Sequence, residues 1–231
     1  MKLPIYQIDA FASEPFTGNP AAVVPLDEWL PEHTMQAIAE ENNLSETAFF
    51  VADGADYRIR WFTPNKEVKL CGHATLATAY VLFNCLNLGS ESITFKSLSG
   101  ELRVFKDGEL LVLDFPAQMP EPCDTPPALV DGLGKQPGQC LKREDYVAVF
   151  ESAEEVRQID PDSFSLEKLD LRGVIVTAKT AQESIVARFF APKYGIPEDP
   201  VTGSAYTQLV PYWCETNGVT RINARQLSAR G

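Results

Sequence analysis

The chain has 231 residues, with 20 Lys and Arg against 32 Asp and Glu, a formal net charge of −12, and 45% apolar to 23% charged residues. That balance belongs to a globular chain long enough for one core or two. Its acidic excess runs against the clustered cations that nucleic-acid or anionic membrane partners require. No apolar run approaches the roughly 20 residues of a membrane-spanning helix. Met1-Lys2-Leu3-Pro4 lacks the apolar stretch of a secretion signal, so the expected location is the cytoplasm.

Residues 4–11 read as a strand, Gly18-Asn19-Pro20 as a turn, and residues 21–24 as a second strand. Pro31 suits the first turn of a helix. Met35, Ile38 and Ala39 then recur at i, i+3 and i+4, with an end near Asn42-Asn43. Strand patterns return over 47–51 and 57–62. Gly72 opens an apolar helix expected to run to about Cys85, with Leu76, Tyr80 and Phe83 on one stripe. Strands follow over 92–96, 101–105 and 110–115, with Asp107-Gly108 as a hairpin turn. The Pro-rich stretch 116–127 is the expected linker, dividing the chain into units 1–117 and 118–231.

Beyond that stretch the order recurs. Arg60-Trp61-Phe62-Thr63-Pro64 matches Arg188-Phe189-Phe190-Ala191-Pro192, and Gly72-His73-Ala74 matches Gly203-Ser204-Ala205, which opens a helix through Leu209, Tyr212 and Trp213. Residues 93–99 match 222–228 in the same way. Three matches in one order, about 130 residues apart, predict a duplicated α+β unit, each copy a mostly antiparallel sheet around one apolar helix. After Ser99-Gly100 the first copy continues into a hairpin, whereas the second stops at Gly231. The chain is therefore expected to be truncated in its second sheet.

The histidines, His33 and His73, are too few for a His-rich metal cage, and the five scattered cysteines form no C-x-x-C pair. No metal site or disulfide framework is expected. No G-x-G-x-x-G, Walker loop or G-x-S-x-G elbow is present, so no common nucleotide cofactor is indicated. Duplicated units favour a ligand cleft between equivalent segments, and the helix starts at Gly72 and Gly203 suit a carboxylate. His73, near a positive helix end, would tend to stay neutral. Asp199 is either an N-cap or a functional group. Glu46, entering an apolar strand, is either solvated at its edge or a carboxyl with a raised pKa fit for acid/base work. Cys71 has Thr202 at its place in the repeat, which disfavours two-thiol epimerisation and makes the thiols dispensable.

Gly18-Asn19-Pro20, residues 43–49, Phe62-Thr63-Pro64, residues 71–77 and residues 199–205 together resemble the signature blocks of the phenazine-biosynthesis PhzF-like family. The resemblance covers nearly the whole chain in the right order. It implies the diaminopimelate-epimerase-like fold, a homodimer, and a cofactor-free isomerase acting on a small carboxylate-bearing metabolite. The family's acid/base glutamate falls on Glu46, its assisting histidine on His73 and its assisting aspartate on Asp199. Asn19, Gly72, Gly203 and Ser204 fall at substrate-binding positions. Tyr206 stands where many relatives carry His, which bears on substrate choice. The alternatives are a catalytically idle small-molecule binding protein and an interaction protein on the same fold.

Overall fold

The computed structural model describes residues 2–14 and 16–229. The chain divides into two compact units, Met1–Phe115 and Pro116–Gly231. The first holds strands β1 (Tyr6–Ala10), β2 (Asn19–Leu26), β3 (Glu46–Asp53), β4 (Asp56–Phe62), β5 (Glu67–Val68), β6 (Ser92–Ser97), β7 (Gly100–Asp107) and β8 (Leu110–Asp114), with helices α1 (Glu32–Asn42) and α2 (Gly72–Tyr80). Its sheet runs β1-β2-β3-β4-β6-β7-β8, with β5 beside β4. Helix α2 packs on β1, β2 and β3 and also on β8 at the far edge, so the sheet curls around it.

The apolar run of β3 is explained by cover on both faces. Ala48 and Phe50 share a core with Ala74 and Ala77 of α2, while Phe49 and Val51 share another with Met35 and Ala39 of α1. Helix α1 ends at Asn43, which takes the left-handed conformation and returns its N–H to the Ala39 carbonyl. Helix α2 buries two threonines because their hydroxyls bond back to carbonyls, Thr75 to Cys71 at 2.6 Å and Thr78 to Ala74 at 2.7 Å. The expected helix to Cys85 is α-helical only to Tyr80 and then widens into a π turn over Val81–Cys85. That wider turn lets three consecutive residues, Val81, Leu82 and Phe83, all reach apolar surroundings. The hairpin turns at Gly108-Glu109, one residue beyond expectation, because Gly108 supplies the positive φ and Asp107 still pairs with Leu110.

The second unit holds β9 (Glu121–Pro122), α3 (Pro127–Leu133), β10 (Gln139–Lys142), β11 (Tyr146–Phe150), α4 (Ala153–Gln158), α5 (Ser163–Leu166), β12 (Val174–Ala181), β13 (Ser184–Phe190), α6 (Gly203–Asn217) and β14 (Asn223–Gln226). The sheet order is β14-β13-β12-β11-β10-β9. One face packs Ile175, Ile185 and Phe189 against Ala205, Leu209 and Trp213 of α6; the other packs Val174, Val176 and Phe190 against Leu129, Val156 and Leu166.

The duplication is written in the pairing. Joins β1–β2, β2–β3, β3–β4 and β4–β6 run antiparallel, parallel, antiparallel and parallel. Joins β10–β11, β11–β12, β12–β13 and β13–β14 repeat that sequence. Helices α2 and α6 occupy the same place before the last parallel strand. The first sheet then continues into β7 and β8, whereas β14 is an edge among the described residues. Arg230 and Gly231, on which the expectation about the chain's end rests, lie outside the described residues.

The Pro-rich stretch 116–127 is not a free linker. Residues Glu121–Pro122 pair with β10, and the Gln118 N–H donates to the Thr207 carbonyl at 2.8 Å. That carbonyl is available because Pro211, four residues on inside α6, has no N–H to give it.

Each unit also carries a bidentate arginine clamp at its repeat position. Arg60 grips Glu67 at 2.7 and 2.6 Å, and Arg188 grips Glu198 at 2.7 and 2.9 Å. Both clamps hold the segment that leads from the sheet into the central helix.

Candidate active site

Glu46 is the first residue of β3, opposite Ala21 in the parallel pairing with β2. Two residues before Ala21, buried Asn19 opens β2, so Asn19 and Glu46 lie at the same end of neighbouring strands. Gly18 makes that entry possible: its φ is +70°, and a Cβ there would sit 2.2 Å from the Ala10 carbonyl oxygen. Helix α2 presents its first turn to the same unit. His73 Nε2 lies 3.1 Å from Glu46 Oε2, with the two side chains 5% and 12% exposed. The approach is off the hydrogen-bonding direction, and both atoms are buried without a hydrogen-bond partner. On the other side of the ring, Cys71 Sγ lies 3.5 Å from His73 Nδ1. The result is a carboxylate, imidazole and thiol in contact.

Burial raises the Cys71 thiol pKa, and the Glu46 carboxylate adds to that rise. Burial disfavours a charged His73, but the Glu46 carboxylate in contact with the ring outweighs it and raises the imidazole pKa. The expectation of a neutral His73 is thereby corrected: a carboxylate in contact outweighs the helix end. Donor atoms of Glu46, Cys71 and His73 lie within 4.8 Å of one another.

In the second unit Asp199 is buried, and Thr202, not Asp199, is the N-cap of α6. The capping reading of Asp199 is thus set aside; it accepts from the Thr202 hydroxyl at 2.5 Å instead. Gln226, from β14, completes the network. Its Oε1 accepts from the Thr202 N–H at 2.9 Å, and its Nε2 donates to the Asp199 carbonyl at 2.7 Å. Tyr206 reaches the same amide at 3.5 Å, and burial followed by the Asp199 charge raises its phenol pKa. Gly203 and buried Ser204 form the first turn, and no side chain caps either α2 or α6. Their N-terminal ends can therefore face an anion.

Equivalence across the repeat sets the two units apart. Thr47 pairs with Phe62, and Val174 pairs with Phe190. Since Phe62 and Phe190 correspond, Gly173 stands where the first unit has Glu46. A Cβ at Gly173 would sit 2.7 Å from both the Phe190 carbonyl oxygen and the Phe189 ring. No carboxylate fits there.

A family model described as "Phenazine biosynthesis-like protein" matches residues 8–231. The chain belongs to the phenazine biosynthesis-like PhzC-PhzF family. Among its relatives is a protein of Pseudomonas aeruginosa named as an uncharacterized isomerase, 53% identical over all of this chain and 89% of the relative. A crystal structure of a PhzF-family protein from Enterococcus faecalis superposes with a TM-score of 0.94 at 49% identity, over all of this chain and 89% of that one. A probable proline racemase from Agrobacterium radiobacter superposes at 0.63 with 11% identity, covering 98% of this chain and 82% of that one, a likeness of fold alone. The α+β, duplicated epimerase-like architecture read from the sequence is the architecture of this family.

Within the first unit the structure brings Glu46, His73 and Gly72 together with Cys71. Within the second it brings Asp199, Gly203 and Ser204 together with Thr202. Sequence reading missed Gln226 and Gly173. Gln226 was visible as a polar residue inside the third repeat match, at the place of Ser97; Gly173 left no signal without the strand register. Among the described residues no helix is long and apolar enough to cross a membrane.

Proposed function

We propose that this protein is an isomerase that moves a proton on a small carboxylate-bearing metabolite by general acid/base catalysis, with Glu46 as the proton carrier and no cofactor. The observation that carries the reading is the asymmetry of the repeat: a half-buried carboxylate against His73 in one unit, and Gly173 and Thr202 where a second base or second thiol would stand. A single base that takes a proton and returns it elsewhere on the same face needs no partner base. His73 orients the Glu46 carboxylate. Each helix start, at Gly72 in the first unit and at Gly203 and Ser204 in the second, offers N–H groups suited to a carboxylate, and Asn19 and Asp199 offer polar groups in their own units. The isomerase name carried by a relative that is 53% identical supports the reaction class.

The test is a screen of aromatic and cyclic amino acids for deuterium incorporation from heavy water, run on the wild type and on Glu46→Gln. Acid/base groups contribute about 10²- to 10⁴-fold, so the variant is expected to lose at least a hundredfold in exchange while keeping ligand binding. Near-normal exchange in Glu46→Gln overturns the mechanism. Binding without exchange in the wild type assigns the idle binding role instead.

A further inference from the structure

Away from Glu46 and independent of its role, two thiols face each other at the edge of the second sheet. Register pairs Pro122 of β9 with Leu141 of β10, so the next opposed pair is Cys123 and Cys140, and the Cys123 N–H donates to the Cys140 carbonyl at 3.0 Å. Their sulfurs are 3.6 Å apart. A disulfide needs about 2.05 Å between sulfurs on residues whose Cα atoms lie about 4.4–6.8 Å apart, a range that directly opposed strand residues satisfy. Side-chain rotation alone closes the remaining gap.

We propose that Cys123 and Cys140 form an oxidisable dithiol pair, which a peroxide converts into an internal disulfide that fastens β9 to β10. Unequal exposure divides the roles. Cys123 is half-buried and meets the oxidant, whereas Cys140 is buried and resolves. Burial, reinforced by Cys123, pushes the Cys140 pKa up to about 12 and keeps it a thiol until its partner reacts. In the first step the Cys123 thiolate attacks one oxygen of hydrogen peroxide. The O–O bond breaks, a Cys123 sulfenic acid forms, and the departing hydroxide takes up the proton that the thiol had released, giving water. The Cys140 sulfur then attacks the sulfenic sulfur, its proton passes to the departing hydroxide, and a second water leaves. Two thiols and one peroxide give one disulfide and two waters.

The site is placed to matter mechanically. Strand β9 pairs with β10 through two residue pairs, and it borders a cavity of about 480 Å³ whose wall includes Met119, Glu121, Pro122, Gln139, Leu141 and Tyr212. A covalent tie between β9 and β10 fixes that wall.

The experiment treats the full chain with stoichiometric hydrogen peroxide. Reactive thiols are expected to fall from five to three per chain, with a mass loss of about 2 Da. Digestion should yield one cross-linked pair of peptides carrying residues 123 and 140, separated again by dithiothreitol. Amide exchange at Cys123 should slow at least tenfold on oxidation. Cys123→Ser should abolish the cross-link, and Cys140→Ser should leave Cys123 as a sulfenic acid that a second equivalent of peroxide carries to the sulfinic acid. Recovery of Cys123 as a thiol or sulfinic acid in the wild type, or the same loss of two thiols in Cys123→Ser, overturns the proposal.

Discussion

The two units share a strand order, a central helix and an arginine clamp, yet their helix starts are built to opposite ends. In the first, half-buried Glu46 and buried His73 meet as an ion pair at 3.1 Å, off the hydrogen-bonding direction. In the second, Thr202, the carboxylate and carbonyl of Asp199, and the Gln226 amide are joined by hydrogen bonds of 2.5 to 3.2 Å. A saturated network is rigid and suited to holding. The duplicated units thus differ most at four pairs of positions: Glu46 against Gly173, Cys71 against Thr202, His73 against Ser204, and Ser97 against Gln226.

The largest effect expected from breaking this comparison is at the clamps. Arg188 is 10% exposed and also donates to the Ile159 carbonyl at 2.6 Å, whereas Arg60 is 24% exposed. Arg188→Met should cost about 3–5 kcal/mol, the range for unpairing a buried ion pair, and Arg60→Met about 1 kcal/mol, read from denaturant midpoints. Equal losses would show that the clamps are equivalent after all. Next is Gly173→Ala. Its new methyl meets a backbone carbonyl that cannot swing away, so a loss of about 1–3 kcal/mol is expected; an unchanged midpoint would show that a side chain fits at the Glu46 equivalent.

The pH dependence follows from His73. Its folded value lies well above the unfolded one, near 6.5. Stability from this group is therefore fully present below about pH 6.5 and is lost as pH rises through the folded value. The stability difference between the wild type and His73→Asn should shrink over that rise, and a difference that grows with pH would reverse the assignment. The smallest effect is at Cys71. With its thiol kept protonated, Cys71→Ser should retain deuterium exchange within about tenfold, or roughly 1.4 kcal/mol in barrier. Complete loss with the fold intact would bring the thiol into the chemistry.

Much of this was legible in the sequence because local pattern and global fold agree. The i, i+3, i+4 spacing in α1, the two-faced apolar run of β3 and the three repeat matches all report packing that the chain enforces on each side chain separately. What was not legible depends on register. Gly173 reads as an ordinary loop glycine until β12 is paired with β13, and Gln226 reads as surface polarity until β14 is paired with β13. The charge state of His73 depends on a contact between residues 46 and 73, set by two elements far apart in the chain. The stretch 116–127 looked like a linker because proline signals an interrupted pattern without saying what the freed backbone then bonds.

Pro211 turns that last point into a statement about cooperativity. A helix normally forms from its own donors and acceptors, so its order is a local matter. Helix α6 lacks one donor, and its Thr207 carbonyl is completed only by Gln118, contributed from the very start of the unit. The helix and the entering segment must therefore open and close together, as one unit in hydrogen exchange rather than two. Slow exchange of the Gln118 amide then reports the integrity of a helix to which it does not belong.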